Sequence, residues 1–212
     1  MIHIHFLTFN PFQENTYILY DETKECVIID PGCYEKEEKK EMKKFIEENK
    51  LKPVRLLNTH CHIDHILGNS FIADTYNLKL EMHEKDLPVL NSTVDYGQLF
   101  GLNVDPSPQP EKFLQEGDEI KFGNSKLKVI FVPGHAPGHI AFVCEDQKFV
   151  INGDVLFEGS IGRTDLPGGD HETLIESIMQ KMLPLGDDYK VYTGHGSPTT
   201  IGFERNNNPF LN

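Results

Sequence analysis

The sequence predicts an α+β fold in which helices flank two packed β-sheets. Strand-like apolar runs fall into two groups, one before residue 83 and one after residue 118, and each group supplies its own helices. No linker, repeat or low-complexity stretch separates them, and 212 residues suffice for one sizeable core. A single domain spanning residues 1–212 is therefore expected.

Residues 2–7 alternate Ile2, Ile4 and Phe6 with His3 and His5, a half-buried strand with both histidines facing solvent. Residues 15–20 and 26–30 read as a hairpin turning at 21–24, and Pro31-Gly32 ends that segment. A charged helix follows over 35–50, with Met42, Phe45 and Ile46 on its apolar face. Residues 54–57 form a buried strand, 66–76 a helix and 78–82 a short strand. His83 is expected as a hydrogen-bonded residue at a helix start. Pro106, Pro108 and Pro110 predict that 87–115 is a loop or flap bordering the site. Strands are expected at 119–122, 127–132, 140–145 and 148–152. Asp170 then caps a last helix bearing Leu174, Ile175, Ile178 and Met182 on one face, before a final strand at 189–193.

Function is written most densely at His60-Cys61-His62-Ile63-Asp64-His65, where four metal-ligand side chains share six positions between a strand and a helix. Ten histidines make a stray His-x-His unremarkable; adding Asp64 and His65 makes chance a poor account. Alternation sends His60 and His62 one way and Cys61 the other, so Cys61 is expected as a buried or edge thiol. Three more strands end in the same manner: at His135 and His139, at Gly153-Asp154, and at Gly194-His195-Gly196. Flanking glycines let the backbone approach a bound ion closely. Together these point to two adjacent divalent metals, with Asp154 as the carboxylate able to bridge them. Spacing does not choose between His135 and His139.

Composition narrows the partners. A net charge of -13, from 20 basic and 33 acidic residues, disfavours nucleic acid and anionic membranes. No stretch approaches the roughly 20 apolar residues of a membrane span, and the first residues lack a signal-peptide pattern. Cys26, Cys33, Cys61 and Cys144 form no Cys-x-x-Cys pair, which suits reduced thiols in a cytoplasmic protein.

Asn15-Thr16-Tyr17, Asp30-Pro31-Gly32, Thr59 to His65, Pro133-Gly134-His135, Gly153-Asp154 and Gly194-His195-Gly196 together resemble the metallo-β-lactamase fold superfamily. The similarity is greatest to its hydroxyacylglutathione hydrolase (glyoxalase II) branch, of the short, single-domain bacterial type. The resemblance implies an αββα four-layer sandwich with the metals at one edge of the sheets. It implies one metal on His60, His62 and His135, a second on Asp64, His65 and His195, and Asp154 between them. It also leaves His139 behind the metal, orienting its ligands. Zinc is the first expectation for both metals, with iron or manganese as alternatives. Few residues follow His195, whereas longer relatives continue into a helical domain that helps bind glutathione.

The reaction so implied is hydrolysis of a small-molecule thioester, S-lactoylglutathione-like, by hydroxide held between the metals. Asp64 and Asp154 are the expected catalytic carboxylates, Asp64 aiming the hydroxide. A thiolate leaves with little protonation, which suits a site without an evident general acid. Arg163 is a candidate for binding a substrate carboxylate, with a surface ion pair as the equal alternative. The stretch Gly162-Arg163-Thr164-Asp165 also occurs in persulfide dioxygenases of the superfamily, so a one-iron oxygenase is the competing expectation.

Overall fold

Every second side chain of the central strands meets a different layer, and that alternation decides the architecture. A computed structural model describes residues 1–211. In the first sheet β1 (His3–Phe9), β2 (Glu14–Tyr20) and β3 (Glu25–Ile29) are antiparallel. β4 (Lys52–Leu57), β5 (Leu80–Met82) and β6 (Lys112–Phe113) extend it in parallel. The second sheet holds β7 (Glu119–Phe122), β8 (Ser125–Phe131), β9 (Ile140–Cys144), β10 (Phe149–Gly153), β13 (Lys190–Thr193) and β14 (Thr199–Thr200). Only its β10–β13 pair is parallel among the described residues. β11 (Leu156–Phe157) and β12 (Ser160–Ile161) make a separate small hairpin.

Tyr17, Leu19, Val27, Ile29 and Leu57 of the first sheet pack with Phe122, Val129, Phe142 and Ile151 of the second. Their neighbours Ile18, Ile28 and Leu56 turn to Met42 and Ile46 of α1 (Lys36–Glu48) and Ile72 of α3 (Asn69–Tyr76). On the far side Ala141, Val143 and Val191 meet Leu174 of α5 (His171–Ser177) and Ile201 of α6 (Ile201–Asn207). The result is the expected αββα sandwich.

Four local expectations change. Residues 87–99 form a helix, α4 (Leu87–Leu99), where a loop was expected; Pro88 lies in its first turn, where proline costs nothing, and the other prolines follow its end. The helix expected at 66–76 is two pieces, α2 (Ile63–Ile66) and α3, broken where Gly68 packs so close to Pro31 and Cys33 that a Cβ would overlap them. His5 does not face solvent: its ring stacks on Phe45 of α1 with centroids 3.7 Å apart. Asp170 does cap α5, accepting the Thr173 N–H at 2.7 Å, but α6 comes after it, so α5 is not the last helix.

One edge of the sandwich is stitched across the two sheets. Asn15 donates its backbone N–H to the Gly194 carbonyl at 2.7 Å, and Ile140 donates to Thr59 at 2.9 Å. The Gly194 N–H reaches the Gly153 carbonyl at 2.7 Å. The ends of β4, β8, β10 and β13 therefore meet in one place.

Candidate metal centre

All seven expected ligands gather at that edge. Nδ1 of His62 and Nε2 of His135 are 2.8 Å apart, and Nε2 of His60 lies 3.2 Å from Nε2 of His135. Nitrogens around a tetrahedral zinc with Zn–N of about 2.1 Å stand roughly 3.4 Å apart, so these three atoms nearly describe a coordination face. Beside them Oδ2 of Asp64 lies 3.0 Å from Nε2 of His195 and 3.6 Å from Nε2 of His65. Asp154 faces both groups: Oδ1 lies 3.5 Å from His65, while Oδ2 lies 3.6 Å from His135 and 3.5 Å from His195.

Four of the imidazoles have their outward nitrogen held by oxygen. Nδ1 of His135 meets the Arg163 carbonyl at 2.7 Å, and Nδ1 of His195 meets the Phe12 carbonyl at 3.0 Å. A carbonyl only accepts, so both Nδ1 atoms bear hydrogen and a neutral ring offers Nε2. Nδ1 of His65 is held by Asp30 at 3.1 Å, and Nδ1 of His60 by the Thr59 hydroxyl at 3.1 Å. Pinning the remote nitrogen against oxygen is how ligating imidazoles are oriented.

Electrostatics agree with a site shaped for cations. Nε2 of His65 and Oδ1 of Asp154 are buried with no hydrogen-bond partner among the described residues, an arrangement a shared cation satisfies. Burial opposes a charge on His65, yet the carboxylates of Asp64 and Asp154 outweigh it and raise its pKa well above the ordinary range. Burial also opposes a charge on His195, but hydrogen bonds to Asp154 and Asp64 raise it to about 10. Burial pushes His60 down strongly and His62 to about 3, with neighbouring imidazoles adding to it. Burial works against the Asp154 carboxylate, but His65 and His195 hold its pKa well below the usual value. The raised values of His65 and His195 reflect the negative charge that Asp64 and Asp154 concentrate at the site.

Other expected residues fall as follows. His139 is fully buried, stacks on His60 with centroids 4.6 Å apart, and accepts the Asp154 N–H on Nε2 at 3.2 Å. Cys61 points away from the histidines, its Sγ 3.6 Å from the Met82 sulfur, and all four cysteines are free and buried. His83 begins a short turn, accepting the Lys85 N–H at 3.2 Å. The Arg163 guanidinium forks onto Asp165 with both bonds at 2.7 Å.

Three further residues belong to the site although none was expected to act there. Asp30 follows a strand as the ligands do and is signalled by Pro31-Gly32 behind it. Asp86 and Lys85 lie in the charged run Glu84-Lys85-Asp86, which carries no pattern to set them apart. Burial pushes the Asp86 carboxyl up to about 6, against hydrogen bonds from Gly138 and Cys61.

A cavity of about 1040 Å³ opens over the centre, with His62, Asp64, His135, Asp154 and His195 among its lining. Val89 and Tyr96 of α4, with Phe100 just past its end, line one side, and Leu166 and Pro167 stand among the other lining residues. Lys85 also lines it, its ammonium 4.9 Å from the Phe131 ring and in no ion pair among the described residues. No described helix is long and apolar enough to cross a membrane.

Residues 9–195 match the family model of the metallo-beta-lactamase superfamily. The chain belongs to that superfamily. It is 41% identical over 213 residues to hydroxyacylglutathione hydrolase GloC of Haemophilus influenzae, covering 100% of this chain and 99% of that one. Among solved structures it resembles BLEG-1, a B3 metallo-beta-lactamase, with a TM-score of 0.88 and 34% identity over 100% and 99% of the two chains. It also resembles TTHA1623 in a di-iron-bound form, with a TM-score of 0.87 and 35% identity over 98% and 100%. The superfamily fold and the paired His/Asp clusters thus occur together in this chain.

Proposed function

We propose that this metallo-beta-lactamase superfamily member is a two-metal hydrolase of thioesters, S-lactoylglutathione-like ones among them, acting as one domain over residues 1–212. The observation that carries the reading is Asp154, whose two oxygens face His65 on one side and His135 on the other. In this reading His60, His62 and His135 hold one cation, Asp64, His65 and His195 the other, and Asp154 both. Bound there, divalent cations polarise a carbonyl and bring the pKa of water down to about 7.

The chain's own groups do the rest. Asp64, with Oδ2 directed at His195, also lines the cavity, where it aims the attacking oxygen. Both floor carboxyls stay ionised, Asp64 because His65 and His195 overcome the cost of burial. Neither can protonate an amine leaving group, whereas a thiolate departs without that help. The name of the GloC relative supports the same bond type. A cluster of three further groups beside His60, His62 and His135 favours two cations over the single iron of an oxygenase.

Lys85 and Arg163 supply positive charge at the cavity, suited to a substrate carboxylate; Arg163 is shared with Asp165, so Lys85 is the freer of the two. Metal analysis joined to a substrate panel tests the reading. Two metals per chain with release of free thiol from thioesters is the expected result. One iron with oxygen uptake on a persulfide would replace it.

A further inference from the structure

Asp86 is wholly buried between two loops that come from different sheets. Its Oδ2 accepts the backbone N–H of Cys61 at 2.7 Å, and its Oδ1 accepts that of Gly138 at 2.6 Å. Cys61 sits between His60 and His62, while Gly138 sits between His135 and His139. One carboxylate thus spans the two loops that bring the three imidazoles together.

We propose that Asp86 is a positioning residue that sets the distance between these loops, and through it the hold of His60, His62 and His135 on their cation. The proposal rests on the two-cation reading above. Asp86 also starts α4, and capping that helix would be the simpler duty for it. Its side chain makes no capping bond there, so both oxygens are given to the loops. The approach at Gly138 is so tight that a Cβ would stand 2.5 Å from the Asp86 nitrogen and 2.8 Å from its Cβ. Bonds to an ionised acceptor are shorter and stronger than neutral ones, which suits a fixed spacer.

Precision is what such a spacer supplies. The imidazole nitrogens of the three-histidine group stand 2.8 and 3.2 Å apart, so a loop shift of about half an ångström spoils a coordination face. The group of Asp64, His65 and His195 is held by other means, with Asp30 behind His65 and the Phe12 carbonyl behind His195. Loosening Asp86 should therefore weaken one subsite and spare the other. The same residue leads into the side of the cavity lined by Val89, Tyr96 and Phe100, tying that side and the metal loops to one anchor.

The test is a zinc titration of the metal-free full chain in competition with a chromophoric chelator, for wild type, Asp86→Asn and Gly138→Ala. Wild type is expected to bind two ions. Each variant is expected to bind one of them about 10–100-fold more weakly and the other unchanged. Variants that match wild type, or that lose both affinities equally, overturn the proposal. A wild-type chain that binds no ion overturns the two-cation reading, and the proposal with it. Should the variants fail to fold, amide exchange in wild type decides: slow Cys61 and Gly138 protons support the brace, and rapid exchange at either removes it.

Discussion

Oδ2 of Asp30 stands 3.1 Å from Nδ1 of His65, and the same carboxylate accepts both the N–H and the hydroxyl of Thr59. Asp30 holds this position at φ 50°, in the left-handed region that asparagine and aspartate tolerate better than other side chains. Exchange for an amide keeps the shape and removes the negative acceptor behind His65. Asp30→Asn is expected to weaken the cation on His65 by about 10–100-fold. Chelator competition on the purified variant checks it; wild-type affinity would show the carboxylate to be a spectator.

Gly194 leaves no room beside the Asp154 carboxylate. A Cβ there would overlap Oδ1 of Asp154 and stand 2.7 Å from Cε1 of His65. Gly194→Ala should fold, since Gly194 is not among the glycines with positive φ, yet lose at least one metal per chain and most activity. Elemental analysis beside far-ultraviolet circular dichroism distinguishes this from unfolding.

His135 and His139 share a turn and should part company on substitution. His135→Ala is expected to cost a metal. His139→Ala should keep two metals while losing about 1–3 kcal/mol of stability, because the Asp154 N–H loses its acceptor in a buried site. Metal counts and urea midpoints for the pair settle the assignment, and a reversed pattern refutes it.

The metal-free chain should be most stable near the ordinary histidine pKa. His195, raised to about 10 when folded, contributes stability that is complete below about 6.5 and fades as pH climbs through 10. His62, lowered to about 3, acts oppositely: the unfolded chain gains its proton below about 6.5, so stability falls from there toward pH 3. Bound zinc displaces the proton on His195, so the alkaline decline should flatten on metal loading. Urea unfolding from pH 4 to 10, with and without zinc, reads both limbs. A flat metal-free profile contradicts the assignment of charge.

Lys85→Ala is expected to raise KM for carboxylate-bearing thioesters several-fold with little change in kcat. Arg163→Ala should do less, since its guanidinium already satisfies Asp165. Kinetics on acidic and neutral thioesters of one acyl group measure the difference. Equal effects of both variants on both substrates would remove Lys85 from recognition.

Much of this molecule can be read from residue order. Alternation in the strands assigns Ile18 and Ile28 to one layer and Leu19 and Ile29 to another, which is the sandwich itself. The candidate ligands are legible because each group follows an apolar strand, and His135, Asp154 and His195 sit beside glycine. What hid were residues whose importance is purely spatial. Asp86 belongs to a charged run and becomes a brace only when β5 carries it beside loops from both sheets. His5 fits a polar-out pattern, yet α1 lays Phe45 over it. The helix at 87–99 was obscured by prolines that act only downstream.

The stitched edge has a mechanical corollary. His60, His62 and His65 follow a strand of one sheet, whereas His135, Asp154 and His195 follow strands of the other. Any sliding of the layers past each other must therefore change the spacing between the two groups of side chains. The inter-sheet core that holds Ile29 and Phe142 sets that spacing from a distance, and repacking it is expected to alter turnover while every candidate ligand stays in place.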